Sequence, residues 1–584
     1  MLFWSLLCIL FLFMISTSAV GTSVQPNIIL IVADDLGYND VSFHGSDQIP
    51  TPNLDHLAHT GIILNNYYVS PICTPTRSAL LTGRHPIHTG MQHDVISGTE
   101  TYGLPLSETL LPEYLNKLGY RSHIVGKWHL GMFKWEYTPL HRGFESHLGY
   151  YQGREDYFTH VCEARLGHVH QWGVDFRRDK EMMWNYTGKY STDIFRDEAV
   201  RIIRNHNKSE PLFLYLPFQA VHSGNADSIS LQAPVELIRK FNYIENIQRR
   251  TYAAIVASLD NAVGTIYDTL RDSGMLDNSI IVFTTDNGGP ANGYDGNAAS
   301  NFPLRGIKNT LWEGGVRGVG FIHSPLLRTS GYVSDHLLHV CDWLPTLFRA
   351  AGGNPDTLQN LDGFDAWDML SRNGSAVRGE VLHNIDPISD FAAIRIGDYK
   401  LLVGEEHHGR WDKWYPPYQL NGDEVMLNYR NLTDSVLHEV VNDRHRQNLH
   451  NTYREYWSED VYSRLEKLQT KHNLPTFLEF SPERNITLSS PEKRNFISRP
   501  VRVKCGDKPA NASTNCDLSK SPCLFDISKD PCEFNNIADS HFDVVSLLLH
   551  RLKAYSQDMV PPGNKPLDDR GNPKHHGGAW IPWI

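Results

Sequence analysis

The chain has 584 residues, 41% hydrophobic and 21% charged, which excludes a disordered protein and leaves room for one large domain and a smaller one. A formal net charge of −12 argues against nucleic acid as the partner. Histidine's unperturbed pKa is about 6.5, so the 29 histidines are expected to remove most or all of that charge in an acidic compartment and lessen repulsion of an anionic substrate.

Residues 2–15, LFWSLLCILFLFMI, form an apolar run followed by the small-residue stretch STSAVG. The run is short for a bilayer span and matches the apolar region and cleavage zone of a signal peptide, read here as residues 1–20. No Lys or Arg precedes it, so an uncleaved anchor is the alternative. No later segment reaches about eighteen apolar residues, so no stable membrane span is expected. The expected route is the secretory pathway, ending in the lysosome or outside the cell. Six N-x-S/T triplets fit that route as glycosylation sites: Asn185, Asn207, Asn373, Asn431, Asn485 and Asn511.

NIILIVA (27–33) is a continuous apolar run of the kind buried on both faces of a parallel sheet, and it runs into Asp34-Asp35. CTPTR (73–77) comes next: Pro75 can occupy a first helical turn, which puts Cys73 at a positive helix N-terminus with Arg77 one turn on. YRSHIVG leads into Lys127-Trp128-His129. Helical spacing over 192–206 precedes the strand FLYLPF (213–218), which leads to His222. A long helix within 248–274 carries Tyr252, Ile255, Val256, Leu259, Val263, Ile266 and Leu270 on one stripe and stops at Gly274. SIIVFTT (279–285) is another buried strand, ending at Asp286-Asn287. This alternation predicts an α/β catalytic domain over 25–390, a mostly parallel sheet with helices on both faces.

Beyond residue 390 the texture changes. Residues 392–404 read as a hairpin around Gly-Asp, 522–538 as a strand and turn, and 541–556 as an amphipathic helix. Residues 391–584 are therefore expected to form a smaller α+β domain with an antiparallel sheet and a helix, ending in an extended tail.

Ligands of open α/β sheets bind beyond the carboxyl ends of the strands, and four strands deliver polar residues there. Each pair alone is what turns and helix caps also use; four on one edge point to a site. Asp34, Asp35, Asp286 and Asn287 form an oxygen-only set suited to Ca2+, with Mg2+ the lesser alternative. Three converging carboxylates repel one another unless a cation neutralises them. Without Cys8 the chain has seven cysteines, an odd number. The last four (Cys505, Cys516, Cys523, Cys532) read as local staples, and Cys73 as the one left out.

CTPTR followed by LLTGR resembles the C-x-P-x-R signature of the sulfatase family, whose cysteine is oxidised to formylglycine. ADDLG (33–37), GKWHLG (126–131) and TDNGG (285–289) are similar to further blocks of that family, in its order. LFDISKDPCE resembles its C-terminal strand. Within the family, HGSDQIPTPNLD, GLPLSETLLP and LWEGGVRGVGF are most similar to the arylsulfatase B branch. The resemblance implies the alkaline-phosphatase-like sulfatase fold, a large mixed sheet flanked by helices with a smaller C-terminal domain. It implies removal of the 4-sulfate of N-acetylgalactosamine in dermatan and chondroitin sulfates, and a formylglycine-generating enzyme as a partner during biosynthesis. It makes Asp34, Asp35, Asp286 and Asn287 ligands of one calcium ion, with residue 73 as a further ligand and the nucleophile. Arg77, Lys127, His129, His222 and Lys308 would line the sulfate pocket.

In the chemistry so implied, one hydroxyl of the hydrated aldehyde attacks sulfur and the other expels sulfate, restoring the carbonyl. His129 would be the base for that expulsion, and His222 or Lys308 the acid for the leaving sugar oxygen. The sequence departs from the family pattern at Thr76, where Ser is commoner. It also lacks cysteines in 98–106 and the usual proline in SGNADSISLQ after His222, and it has Asn309 in place of an aromatic. Alternatives are a phosphoester or phosphonate hydrolase of the same superfamily and a non-catalytic binder of sulfated glycans.

Overall fold

The computed structural model describes residues 25–166, 169–225, 229–417 and 501–584. The apolar segment 1–20 and the triplets at Asn431 and Asn485 lie outside the described residues; Asn185, Asn207, Asn373 and Asn511 are all exposed.

Asn27–Ala33 is buried at every position, and its period-2 alternation splits it between two cores. Ile29, Ile31 and Ala33 enter one, with Leu212, Leu214, Leu216, Ile281 and Phe283 from the neighbouring strands. Ile28, Leu30 and Val32 enter the other, with Phe213, Tyr215, Ile280 and Val282. A strand apolar on both sides needs cover on both sides. The 26-residue helix Ile247–Asp272 and Ser191–Asn205 cover the first face. Cys73–Thr82, Leu111–Lys117 and Trp343–Ala350 cover the second. Asn246 caps the long helix by accepting from the Arg249 N–H, and Gly274 follows its end at a φ of +66°.

The large sheet has ten strands. In spatial order they are Tyr332–Ser334, Ile62–Leu64, Gly320–His323, Ser279–Thr285, Asn27–Ala33, Leu212–Pro217, Arg121–Lys127, Ser146–Tyr150, Arg177–Arg178 and Glu181–Met182. The five strands from Ser279–Thr285 to Ser146–Tyr150 are mutually parallel; antiparallel pairs enter toward both edges. All five therefore bring their carboxyl ends to one edge.

The small sheet is antiparallel, in the order Glu380–Asp386, Phe391–Ile396, Tyr399–Val403, Cys523–Asp526. Alternation again divides its faces. Leu382, Ile394, Leu401 and Leu524 pack under Leu548 and Leu552 of the helix Phe542–Asp558. Val381, Ala393, Leu402 and Phe525 pack on Trp312, Val316 and Tyr68 of the large domain. The C-terminal tail returns to the large domain: Trp580 is fully buried and donates its ring N–H to the Cys162 carbonyl at 3.0 Å.

Cys505–Cys532 and Cys516–Cys523 are disulfides, the staples expected of the last four cysteines. Cys73 is not the sole cysteine left over, however, because Cys162 and Cys341 are also unpaired and buried. No helix among the described residues is long and apolar enough to cross a membrane.

Lys400 of the small sheet lies buried between Glu313 and Glu533, 2.9 Å from each. Removing one member of a buried ion cluster leaves uncompensated charge, so Lys400→Ala is expected to lose about 3–5 kcal/mol of stability. Denaturant unfolding measures it; a loss under about 1 kcal/mol would mean that the cluster does not tie the two parts together.

Candidate active site

The ladder places the acids. Ala33 pairs with Thr285, so the next residues, Asp34 and Asp286, leave the sheet side by side. The loop after Leu212–Pro217 is tied to the same edge, because Asp34 N–H donates to the Ala220 carbonyl (3.0 Å) and Val221 N–H to that of Asp34 (2.7 Å). His222 follows it. Lys127 closes its own strand, two places along the sheet. Cys73 is the first residue of a ten-residue helix whose N-cap, Ile72, offers no side-chain acceptor, so the free N–H groups keep their positive end toward the edge. Thr76 accepts from the Ser70 N–H at 2.8 Å, a bond that the hydroxyl of a serine also makes.

Cys73 and the residues expected at the sulfate pocket, Arg77, Lys127, His129, His222 and Lys308, are all buried, as are Asp34, Asp35, Asp286 and Asn287. Asp34 accepts from Lys127 Nζ at 2.7 Å and lies 3.4 Å from Arg77 Nη2. Asp286 accepts from Arg77 Nε and Nη2 at 3.2 and 2.7 Å. Asp35 accepts from Lys308 Nζ at 2.8 Å and from the Asn287 amide at 2.7 Å. The three carboxylates are thus matched by three side-chain cations, and charge neutrality alone does not demand a metal.

What fits a cation is the set of atoms left over. Asp34 Oδ1 and Asn287 Oδ1 are buried without a hydrogen-bond partner. Ligand atoms of Asp34, Asp286 and Cys73 lie within 4.8 Å of one another, as do those of Asp34, Asp35 and His222. Orphaned oxygens among carboxylates suit a hard ion.

Burial pushes the Asp34 carboxyl up to about 8, with Asp286 adding to the rise and Lys127 and Arg77 opposing it. Burial also raises Asp35, against the pull of Lys308. Asp286 goes the other way: burial would raise it, but Arg77 and Lys127 together hold it below the usual carboxylate range. Burial lifts the Cys73 thiol to about 11 despite Lys127 and Lys308. Such a thiol is neutral at pH 7, unlike reactive cysteines, whose values are lowered.

The two histidines hold different tautomers. His129 Nε2 lies 3.0 Å from the Ile96 carbonyl, which can only accept, so Nε2 carries the proton and the partnerless Nδ1 keeps a lone pair. His222 donates Nδ1–H to the Ser223 carbonyl at 2.7 Å, and its Nε2 accepts from Lys308 Nζ at 3.0 Å. Burial first, then nearby cations, hold both rings well below the usual imidazole range. Lys308 is held well above the lysine range: burial opposes this, and Asp35 overcomes it. Asp35 and His129 both sit at positive φ, 60° and 59°, a strained conformation for non-glycine residues. A Cβ on Gly153 would meet His129 Cε1 at 2.7 Å, so the ring needs a glycine there.

Cys73, His129, His222 and Lys308 open on one cavity of about 290 Å³. Sequence reasoning missed Arg154 and Asp295 in its wall. They pair at 3.2 Å, and Asp295 reaches to within 4.0 Å of Lys308. Arg154 stands in a loop and Asp295 in the short 3-10 turn Tyr294–Gly296, neither with a periodic pattern, and a contact across 141 residues of chain joins them.

A family model described as "Sulfatase" matches residues 26–353. Arylsulfatase J of Mus musculus is 36% identical over 565 residues, 96% of this chain and 81% of that protein. N-acetylgalactosamine-6-sulfatase of Homo sapiens is 33% identical over 362 residues, covering 60% of this chain and 67% of its own. The solved structure titled "Crystal structure of Ps i-CgsB" aligns at a TM-score of 0.58 and 33% identity, over 65% of this chain and 84% of that one. These relatives support the sulfatase family and do not single out one branch of it.

Proposed function

Because the chain belongs to the sulfatase family, we propose that it removes the 4-sulfate of N-acetylgalactosamine in dermatan or chondroitin sulfate, using a formylglycine made from Cys73 and one calcium ion. That it is a sulfatase follows from the family; the sugar, the aldehyde and the ion are our reading. One observation carries it: Cys73 Sγ comes within 4.8 Å of ligand oxygens of Asp34 and Asp286, on the cavity that His129, His222 and Lys308 share. A neutral thiol beside the Asp34 and Asp286 carboxylates is poor material for thiolate chemistry and a fitting precursor for a different nucleophile. The branch-like sequence blocks support N-acetylgalactosamine, as does a relative named for that sugar.

Asp34, Asp35, Asp286 and Asn287 would hold the ion, which supplies charge to bind and polarise sulfate oxygens. The aldehyde would supply, as its hydrate, two hydroxyls on one carbon, one to attack sulfur and one whose deprotonation expels sulfate and restores the carbonyl. The chain's own residues do the rest. Asp286 fixes Arg77 by two hydrogen bonds and leaves Nη1 without a partner, free to donate to a sulfate oxygen. Lys127 donates to the Asp34 carboxylate oxygen that Arg77 also approaches, so both side chains reach the acids at one point. His129 Nδ1 can take the proton of a hydroxyl at residue 73. Lys308 and neutral His222 share one proton line toward the leaving oxygen, and since His222 Nε2 accepts from Lys308, the proton to be given stands on Lys308.

The formylglycine requires a modifying enzyme met in the secretory pathway. The two disulfides and the apolar leader support that route, to the lysosome or outside the cell. The purified enzyme is expected to release sulfate from N-acetylgalactosamine 4-sulfate and 4-sulfated disaccharides, and to leave the matching phosphate esters intact. Release from 6-sulfated sugars alone would refute the position assigned; faster phosphate than sulfate release would refute the reaction.

A further inference from the structure

Tyr294 lines the catalytic cavity, and Trp411 and His407 continue from it as a row of rings that neither the sulfate chemistry nor the cores use. Tyr294 lines the cavity beside Asp295 and Lys308. The Trp411 ring lies 4.8 Å from it, tilted by 46°, and the His407 ring lies 4.0 Å from Trp411. His407 Nε2 meets Asn309 Nδ2 at 2.8 Å, next in sequence to Lys308. Tyr294 and Trp411 are half-buried and His407 is exposed.

The segment that carries Trp411 is held in place. Gly306 N–H donates to the Lys413 carbonyl at 2.8 Å and Arg305 Nε to that of Asp412 at 3.1 Å. Trp414 donates to the Cys532 carbonyl at 2.6 Å, and Cys532 is itself in a disulfide. A pre-positioned aromatic surface binds without paying much ordering entropy.

A cavity of about 290 Å³ lies at the small end of ligand sites. With sulfate at its floor it has room for a single sulfated ring, and the next ring of a chain must emerge over the rim. Pyranose rings present a face of C–H groups and an edge of hydroxyls. Aromatic faces with the Asp295 carboxylate and the Asn309 amide beside them match both.

We propose that Tyr294, Trp411 and His407 form a carbohydrate subsite for the sugar adjoining the sulfated one, so that the enzyme selects oligosaccharide over monosaccharide sulfates. The proposal rests on the glycan sulfatase reading above and adds the second ring to it.

The test compares kcat/KM for N-acetylgalactosamine 4-sulfate with that for a chondroitin 4-sulfate trisaccharide whose terminal residue is sulfated. The wild type is expected to favour the trisaccharide, and Trp411→Ala to lower the trisaccharide-to-monosaccharide ratio about tenfold, while Trp411→Phe keeps most of it. His407→Ala, at an exposed position, shifts the ratio in the same direction if Trp411→Ala does not fold. A wild type with a ratio near one, or variants in which both substrates fall together, overturns the subsite and leaves the sulfatase reading standing. A wild type that hydrolyses neither sugar sulfate overturns that reading and the subsite with it.

Discussion

Sulfate release by the Cys73→Ala protein is expected to fall by roughly 10⁵-fold, the scale on which loss of a covalent nucleophile is felt. The fold should survive. The side chain is small, and truncation removes one sulfur from a pocket edge, costing about 1 kcal/mol. The neighbours hold one another without the sulfur: Arg77 on Asp286, Lys127 on Asp34, Lys308 on Asp35. Activity and a thermal melt together decide the matter. Retention of more than a hundredth of the wild-type rate in a folded protein would mean that residue 73 does not attack sulfur.

Asp286→Ala is expected to damage stability and catalysis together. Its carboxylate takes two hydrogen bonds from Arg77 and accepts from the Asp35 N–H at 3.3 Å. Without it the carboxylate left to the buried guanidinium, among the described residues, is Asp34 at 3.4 Å. Breaking a buried pair on one side costs about 3–5 kcal/mol. Catalysis should fall by about 10³-fold, since Arg77 loses its aim and the ion one of its ligands. Bound divalent metal, read by elemental analysis, should drop from one per chain to none. Asp286→Asn keeps an acceptor for Arg77 and should recover part of the stability without the metal. A variant with full metal content and undiminished stability would show that the acids do not act as one centre.

Much of this site could be read along the chain because strands that run into polar pairs are a local pattern. NIILIVA before Asp34-Asp35 and SIIVFTT before Asp286-Asn287 each state their strand and its end, and parallel pairing then sets the ends side by side. Cys73 and Arg77 lie one helical turn apart, also a local relation. The electrostatic balance was not legible. Sequence reasoning took the three carboxylates to be in need of a cation, whereas Arg77, Lys127 and Lys308 already pair with them, by contacts between distant segments. Arg154, Asp295 and the Tyr294–Trp411–His407 rim were missed for the same reason: loops without periodicity meet only in the folded chain. Nor does spacing reveal tautomers. Those of His129 and His222 follow from which ring nitrogen faces a carbonyl.

The central claim is that a carbonyl, not a thiol, stands at residue 73 next to the acids that hold the cation. Peptide mass spectrometry across CTPTR, on protein from a secretory host, addresses it directly. The predicted result is the mass of an aldehyde residue at position 73, trapped by a hydrazide reagent, in active protein. A fully active enzyme whose residue 73 is an intact thiol would contradict it.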